Sequence, residues 1–245
     1  MTLVAVAHGS RDPRSAATVR ALVGAVRTVS PGLDVREAFL DLSEPKVGDV
    51  LARLHAEGAR TAVAAPLLLG SAYHARVDLP GIVAEAAERF PPLRVSVADV
   101  LGTDPLLDAV ALDRLAAAGA DPADPELGVV VAAVGSSHPP ANDAVARLAA
   151  RWQARHGCLA APAFASAAKP DVPAALARLR ARGARHFAVA SWFLAPGLLP
   201  DRVLGQVREH APGAPVAEPL GADPRVAELV VRRYHEAVSA AARSA

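Results

Sequence analysis

Apolar residues gather into short runs separated by amphipathic stretches, and the two alternate regularly along the chain. Strands are expected at Leu3–Ala7, Asp34–Leu40, Thr61–Leu69 and Leu93–Val97. Helices are expected between and after them, at about Arg14–Val29, Lys46–Glu57, Leu79–Arg89 and Asp104–Ala118. Short, almost wholly apolar strands alternating with amphipathic helices predict a parallel sheet covered by helices on both faces. Asp, Ser or Pro stands at the helix starts, and Gly58 and Gly119 sit at two helix ends. The run Gly119–Pro125, GADPADP, breaks the periodicity, and the pattern restarts at Leu127–Val134.

The restart is a repeat. LARLHAEGARTAVAAPLLL (51–69) lies over LARLRARGARHFAVASWFL (176–194) at an offset of 125, with Leu, Ala, Arg, Leu, Ala, Gly, Ala, Arg, Ala and the final Leu identical. FLDLSEP (39–45) lies over FASAAKP (164–170) at the same offset, and LGTDP (101–105) over LGADP (220–224) at 119. Two duplicated α/β domains are therefore expected, 1–120 and 126–245, with a cleft between them. Right-handed crossovers favour the strand order 2-1-3-4 in each four-stranded sheet. The first and third strands are then neighbours, and the connections diverge at their carboxyl ends, where open parallel sheets place their chemistry.

Those ends carry histidines in the first copy. The first strand runs out into His8-Gly9-Ser10-Arg11, and the third into Gly70-Ser71-Ala72-Tyr73-His74. Adjacent strands lie ~4.8 Å apart, so two imidazoles at their tips can converge on one ion. Asp41, at the tip of the second strand, can add an oxygen, with Glu44 nearby. Two histidines and a carboxylate without thiolates suit a loosely held divalent transition metal. In the second copy Asp41 lies over Ser166, His74 over Leu199, and His8 falls near Gly135. The metal site is thus expected in the first copy, with the second supplying a wall. His138 reads as a loop residue, and the remaining histidines as ordinary polar positions on helices or at their ends.

Composition narrows the partners. A net charge of +1, from 26 basic and 25 acidic residues, gives no basic face for nucleic acid. One cysteine in 245 residues excludes an intramolecular disulfide framework and suits a reducing compartment, the cytoplasm. No apolar stretch reaches the ~20 residues of a membrane span, and no secretory leader is read at the start. Ser10 in the first copy and Ser136 and Ser137 in the second precede helix N-termini, where anions bind well. Arg11 and Arg76 beside the two histidines, with Arg14 behind, add cations able to hold carboxylates. No nucleotide-binding glycine motif is present.

HGSRDPRS, FLDLSEP, PLLLGSAYHARVDLP and FLAPGLLPDRV, in this order, resemble the class II tetrapyrrole chelatases, specifically the two-domain sirohydrochlorin cobalto- and ferrochelatases. The resemblance covers nearly the whole chain. It implies insertion of Co²⁺ or Fe²⁺ into sirohydrochlorin without ATP, with His8 and His74 as metal-binding and catalytic residues. The family's frequent glutamate in FLDLSEP is Asp41 here. The metal would be a substrate, and no permanently bound cofactor is implied. A non-catalytic carrier of the metal or the tetrapyrrole is the alternative that the same two histidines allow. Neither the physiological metal nor the oligomeric state is legible.

Overall fold

The computed structural model describes residues 1–70 and 74–243. Tyr73 and the side chain of His74 lie outside the described residues. The chain forms two compact units, Met1–Gly102 with Gly221–Ala245, and Thr103–Leu220.

In the first unit, β1 (Thr2–Ala7), β2 (Val35–Phe39), β3 (Thr61–Pro66) and β4 (Arg94–Val97) form a parallel sheet in the expected order β2-β1-β3-β4. Every residue of β1 is buried, as a strand covered on both faces requires. Val4 and Val6 pack with Val47, Val50, Leu51 and Leu54 of α2 (Val47–Ala56) and Leu79 of α3 (Leu79–Arg89). The other face is covered by α1 (Pro13–Val29), which buries Val19, Leu22, Val23 and Val26, and by α8 (Pro224–Arg243). Asp12 caps α1 by accepting from the Arg14 amide at 2.9 Å, and Pro13 fills the first helical position.

In the second unit, β5 (Leu127–Ala133), β6 (Leu159–Phe164) and β7 (His186–Ser191) form a parallel sheet of order β6-β5-β7. One face packs on α6 (Val172–Ala181) and α7 (Leu198–His210). The helices α4 (Pro105–Ala117) and α5 (Pro139–His156) pack against β7 and against β5 and β6 respectively.

One expectation is corrected. The second sheet has three strands, not four. Its fourth position is reduced to the single bridge Val189↔Val216, in which Val189 N donates to Pro215 O (2.9 Å) and Ala217 N to Val189 O (2.8 Å). That bridge is the counterpart of Ala64↔Val97, the last pair of β3 and β4. Pro215 stands where Ser96 pairs in the first unit, and a proline has no N–H for the ladder.

The compact units also partition the chain differently from the repeats divided at 120 and 126. GADPADP interrupts the periodicity, but a helix belongs with the sheet it covers. α4 precedes that run and packs on β7, while α8 ends the chain and packs on α1, β3 and β4. Tyr234 Oη donates to Met1 O (3.1 Å) and Arg233 Nε to Val100 O (2.9 Å), fastening α8 to the first unit. The two repeats have exchanged their last helices. No helix among the described residues is long and apolar enough to cross a membrane.

Candidate active site

The tips of β1 and β2 are joined residue by residue. Beyond the regular ladder, Leu40 N donates to Ala7 O and Asp41 N to His8 O, both at 2.9 Å, which sets the Asp41 and His8 backbones side by side. Gly9 turns the chain with φ +93°, and a Cβ there would lie 1.7 Å from Asp41 O. Only glycine fits so close a crossing. Ser43 Oγ accepts from Ser10 N and donates to Ser10 O, each at 3.1 Å, so the two loops are also tied side chain to backbone.

On this frame His8 is half-buried, with Nδ1 3.1 Å from Gly9 O. A carbonyl oxygen only accepts, so Nδ1 carries the proton and Nε2 is the basic nitrogen of the ring. Asp41 is exposed. The Leu42 amide, 2.7 Å from Oδ1, holds its carboxyl below the ordinary carboxylate range, assisted by the Lys46 ammonium 3.6 Å away and by His8. Asp41 thus stays ionised beside the imidazole.

The segment that leads into α3 completes the lining. The chain re-enters regular structure at a π-helical turn, His74–Asp78, which runs directly into α3. A cavity of about 400 Å³ lies here, lined by His8, Asp41, Val77, Asp78, Ile82 and Glu85 among others. Its charged lining is three carboxylates, and neither lysine nor arginine lines it among the described residues. Asp78, Ile82 and Glu85 share one face of α3 at helical spacing, a signal present in DLPGIVAE once the helix start is known. Sequence reasoning singled out His8 and Asp41 here and missed Asp78 and Glu85. Among the described residues, which do not include the His74 side chain, no group of three or more His, Cys, Asp or Glu is arranged to hold a metal.

The expected anion-binding groups fare differently. In the first unit Arg11 and Arg76 are exposed near the two tips. The loop amides are already engaged: Ser10 N with Ser43, Asp12 N with Ser10 Oγ (3.0 Å), and Arg14 N with Asp12. Arg14 itself is clamped to the Asp12 carboxylate. In the second unit Ser136 is held at N and O by Asn142, and its Oγ accepts from His138 N (3.0 Å), while Ser137 is exposed. The second unit repeats the first unit's turn, but with His8 over Val134 and Gly9 over Gly135, one residue from the alignment read in the sequence. Ala165 N donates to Ala133 O and Ser166 N to Val134 O, both at 2.9 Å, and Gly135 has φ +86°.

Comparison with known proteins agrees with this architecture. The CbiX family model matches residues 2–118 and again 128–237. The sirohydrochlorin cobaltochelatase of Priestia megaterium is 24% identical over 84% of this chain and 68% of its own length. The sirohydrochlorin ferrochelatase of Bacillus subtilis (strain 168) is 26% identical over 94% of this chain and 89% of its own. The fold is that of the sirohydrochlorin chelatase SirB from Bacillus subtilis subspecies spizizenii, whose structure in complex with cobalt superposes with a TM-score of 0.79, 22% identity, and coverage of 98% of this chain and 96% of that one. With a match in each half and the shared fold across nearly its whole length, the chain belongs to the CbiX family.

Proposed function

We infer that the chain inserts a divalent metal, Co²⁺ or Fe²⁺, into sirohydrochlorin without ATP; two of its relatives are named sirohydrochlorin cobaltochelatase and sirohydrochlorin ferrochelatase. The observation that carries this reading is the cavity at the tips of the first sheet, which His8 lines together with the carboxylate residues Asp41, Asp78 and Glu85. Such a lining attracts a dication and repels the carboxylates of a polyanionic macrocycle, so it suits the metal rather than the tetrapyrrole rim.

Insertion replaces two pyrrole N–H bonds by bonds to the metal and releases two protons. His8 is placed to hold the ion through Nε2, and once the ion has passed to the macrocycle that nitrogen is open to take one of the released protons. His74, at the start of the π-helical turn, is its partner in this reading, and Asp41 supplies charge beside them. Arg11, Arg76, Ser10, Ser136 and Ser137 are assigned to the substrate carboxylates. Arg11 and Arg76 suit that task best, being exposed cations, whereas Ser10 and Ser136 already serve their own turns. The cytoplasm is the compartment we assign, consistent with the single buried thiol of Cys158.

The test is an anaerobic absorbance assay of sirohydrochlorin with Co²⁺, Fe²⁺ and Ni²⁺ in turn. Metallation well beyond one equivalent per chain with Co²⁺ or Fe²⁺ is expected. Metallation that stops at one equivalent would make the protein a carrier.

A further inference from the structure

The rim of the second sheet has the backbone of the first and the opposite chemistry. Backbone bonds of the first rim recur with the same partners in register, among them Ala168 N to Ser166 O (2.7 Å) and Phe164 N to Pro170 O (2.8 Å). A Cβ on Gly135 would lie 2.0 Å from Ser166 O, so the close crossing recurs too. In this preserved frame the imidazole is replaced by Val134, 46% exposed, and the carboxylate by Ser166, whose Oγ lies 3.3 Å from Val134 O.

A cation is built in at the same rim. Arg202 of α7 donates from Nη1 to Ala165 O (3.1 Å), and Ala165 holds the register of Leu40, which lines the cavity of the first unit. Leu198, one helical turn before Arg202 on the same face of α7, is 66% exposed. Exposed apolar side chains of this size also mark the first rim, at Leu42 and Val77. An exposed guanidinium hydrogen-bonded to the rim, with an exposed leucine one turn away on its helix and an exposed valine on the same rim, repels a metal dication. It suits a ligand with an apolar face and an anionic edge, because most of the guanidinium N–H donors remain beyond the one given to Ala165.

We propose that Arg202, Leu198 and Val134 are the tetrapyrrole-recognising residues of the second unit, the guanidinium taking a ring carboxylate and the two apolar side chains the macrocycle face. The assignment rests on the chelatase reading above. It adds to the carboxylate-binding arginines Arg11 and Arg76 of the first copy a cation and an apolar face from the second, whose rim carries Val134 and Ser166 in place of His8 and Asp41.

The experiment is equilibrium binding of metal-free sirohydrochlorin, followed by its own absorbance, to the full chain and to Arg202→Met, Arg202→Lys and Leu198→Asp. Co²⁺ affinity and thermal midpoint are measured on each. Arg202→Met keeps the packing stem without the charge. It and Leu198→Asp are expected to raise Kd by about tenfold or more, with Arg202→Lys between, and with Co²⁺ affinity and midpoint unchanged. A wild-type chain that metallates sirohydrochlorin while both Arg202→Met and Leu198→Asp bind it within about twofold of wild type would overturn this assignment alone. A wild-type chain that neither binds nor metallates sirohydrochlorin would overturn the chelatase reading and this assignment with it. Leu198 is exposed, so loss of fold cannot account for a weakened Leu198→Asp variant.

Discussion

Asp108 of α4 is buried, with Oδ2 3.2 Å from Arg151 Nη2 and Oδ1 without a hydrogen-bond partner among the described residues. Burial pushes its carboxyl above the ordinary range, and the half-exposed Arg151 only partly opposes this. A carboxyl with a raised native pKa binds its proton more tightly folded than unfolded. Its contribution to stability is therefore present below the ordinary carboxylate pKa and lost as pH rises through the raised value. Asp108→Asn removes the charge at nearly the same volume. It is expected to raise stability at pH 7 by about 1 kcal/mol, a few degrees in thermal midpoint, with the gain fading toward pH 3. Melting curves across pH check this, and a variant less stable than wild type at pH 7 would contradict it. Nothing in LLDAVALD distinguished Asp108 from a solvated helix carboxylate, because its burial comes from the docking of α4 within the second unit rather than from the helix itself. His8 and Asp41 were legible for the opposite reason: strand tips follow from local apolar runs, and the tips of a parallel sheet are where side chains leave the core.

Local pattern fixed most elements, and the departures have identifiable causes. β3 ends at Pro66 rather than Leu69, though the next amide, Leu67 N, still reaches Val6 O at 2.7 Å. The missing fourth strand of the second sheet was expected from the repeat, but Pro215 denies it a donor. The edge strands are guarded in both units at matching positions. Arg27 donates to Val35 O (2.6 Å) and Arg182 to Ala160 O (3.2 Å), charges that discourage a foreign strand from pairing there. The turn after β1 is the element on which the site depends, and Gly9 tests it. Gly9→Ala puts a methyl against Asp41 O in a left-handed conformation and should cost about 1–3 kcal/mol or more, together with most chelation activity. Gly24→Ala, inside α1 with open space around it, should instead stabilise by about 0.5–1 kcal/mol and leave activity alone. Denaturant midpoints and rates on the two variants decide the matter, and equal effects would contradict the assigned role of Gly9.

At the scale of the whole molecule, duplication and helix exchange explain why sequence repeats and compact units disagree. The family model follows the chain, 2–118 and 128–237, whereas packing gives α4 to the second sheet and α8 to the first. Such an exchange is invisible to periodicity, since α4 and α8 read the same wherever they dock. The repeat also shows what changed after duplication: the crossing glycines and rim hydrogen bonds were retained, and the chemistry at their tips diverged from His8 and Asp41 to Val134 and Ser166. In the function proposed above, the first rim handles the metal through His8 and His74 acting together. Chelation rates for wild type, His8→Ala, His74→Ala and the double variant test it most directly. Each single variant is expected to lose activity by about 100-fold or more, and the double to be little worse than either, because groups that act on one ion are strongly non-additive. A His8→Ala variant with near wild-type rates beside an inactive His74→Ala would contradict the paired site.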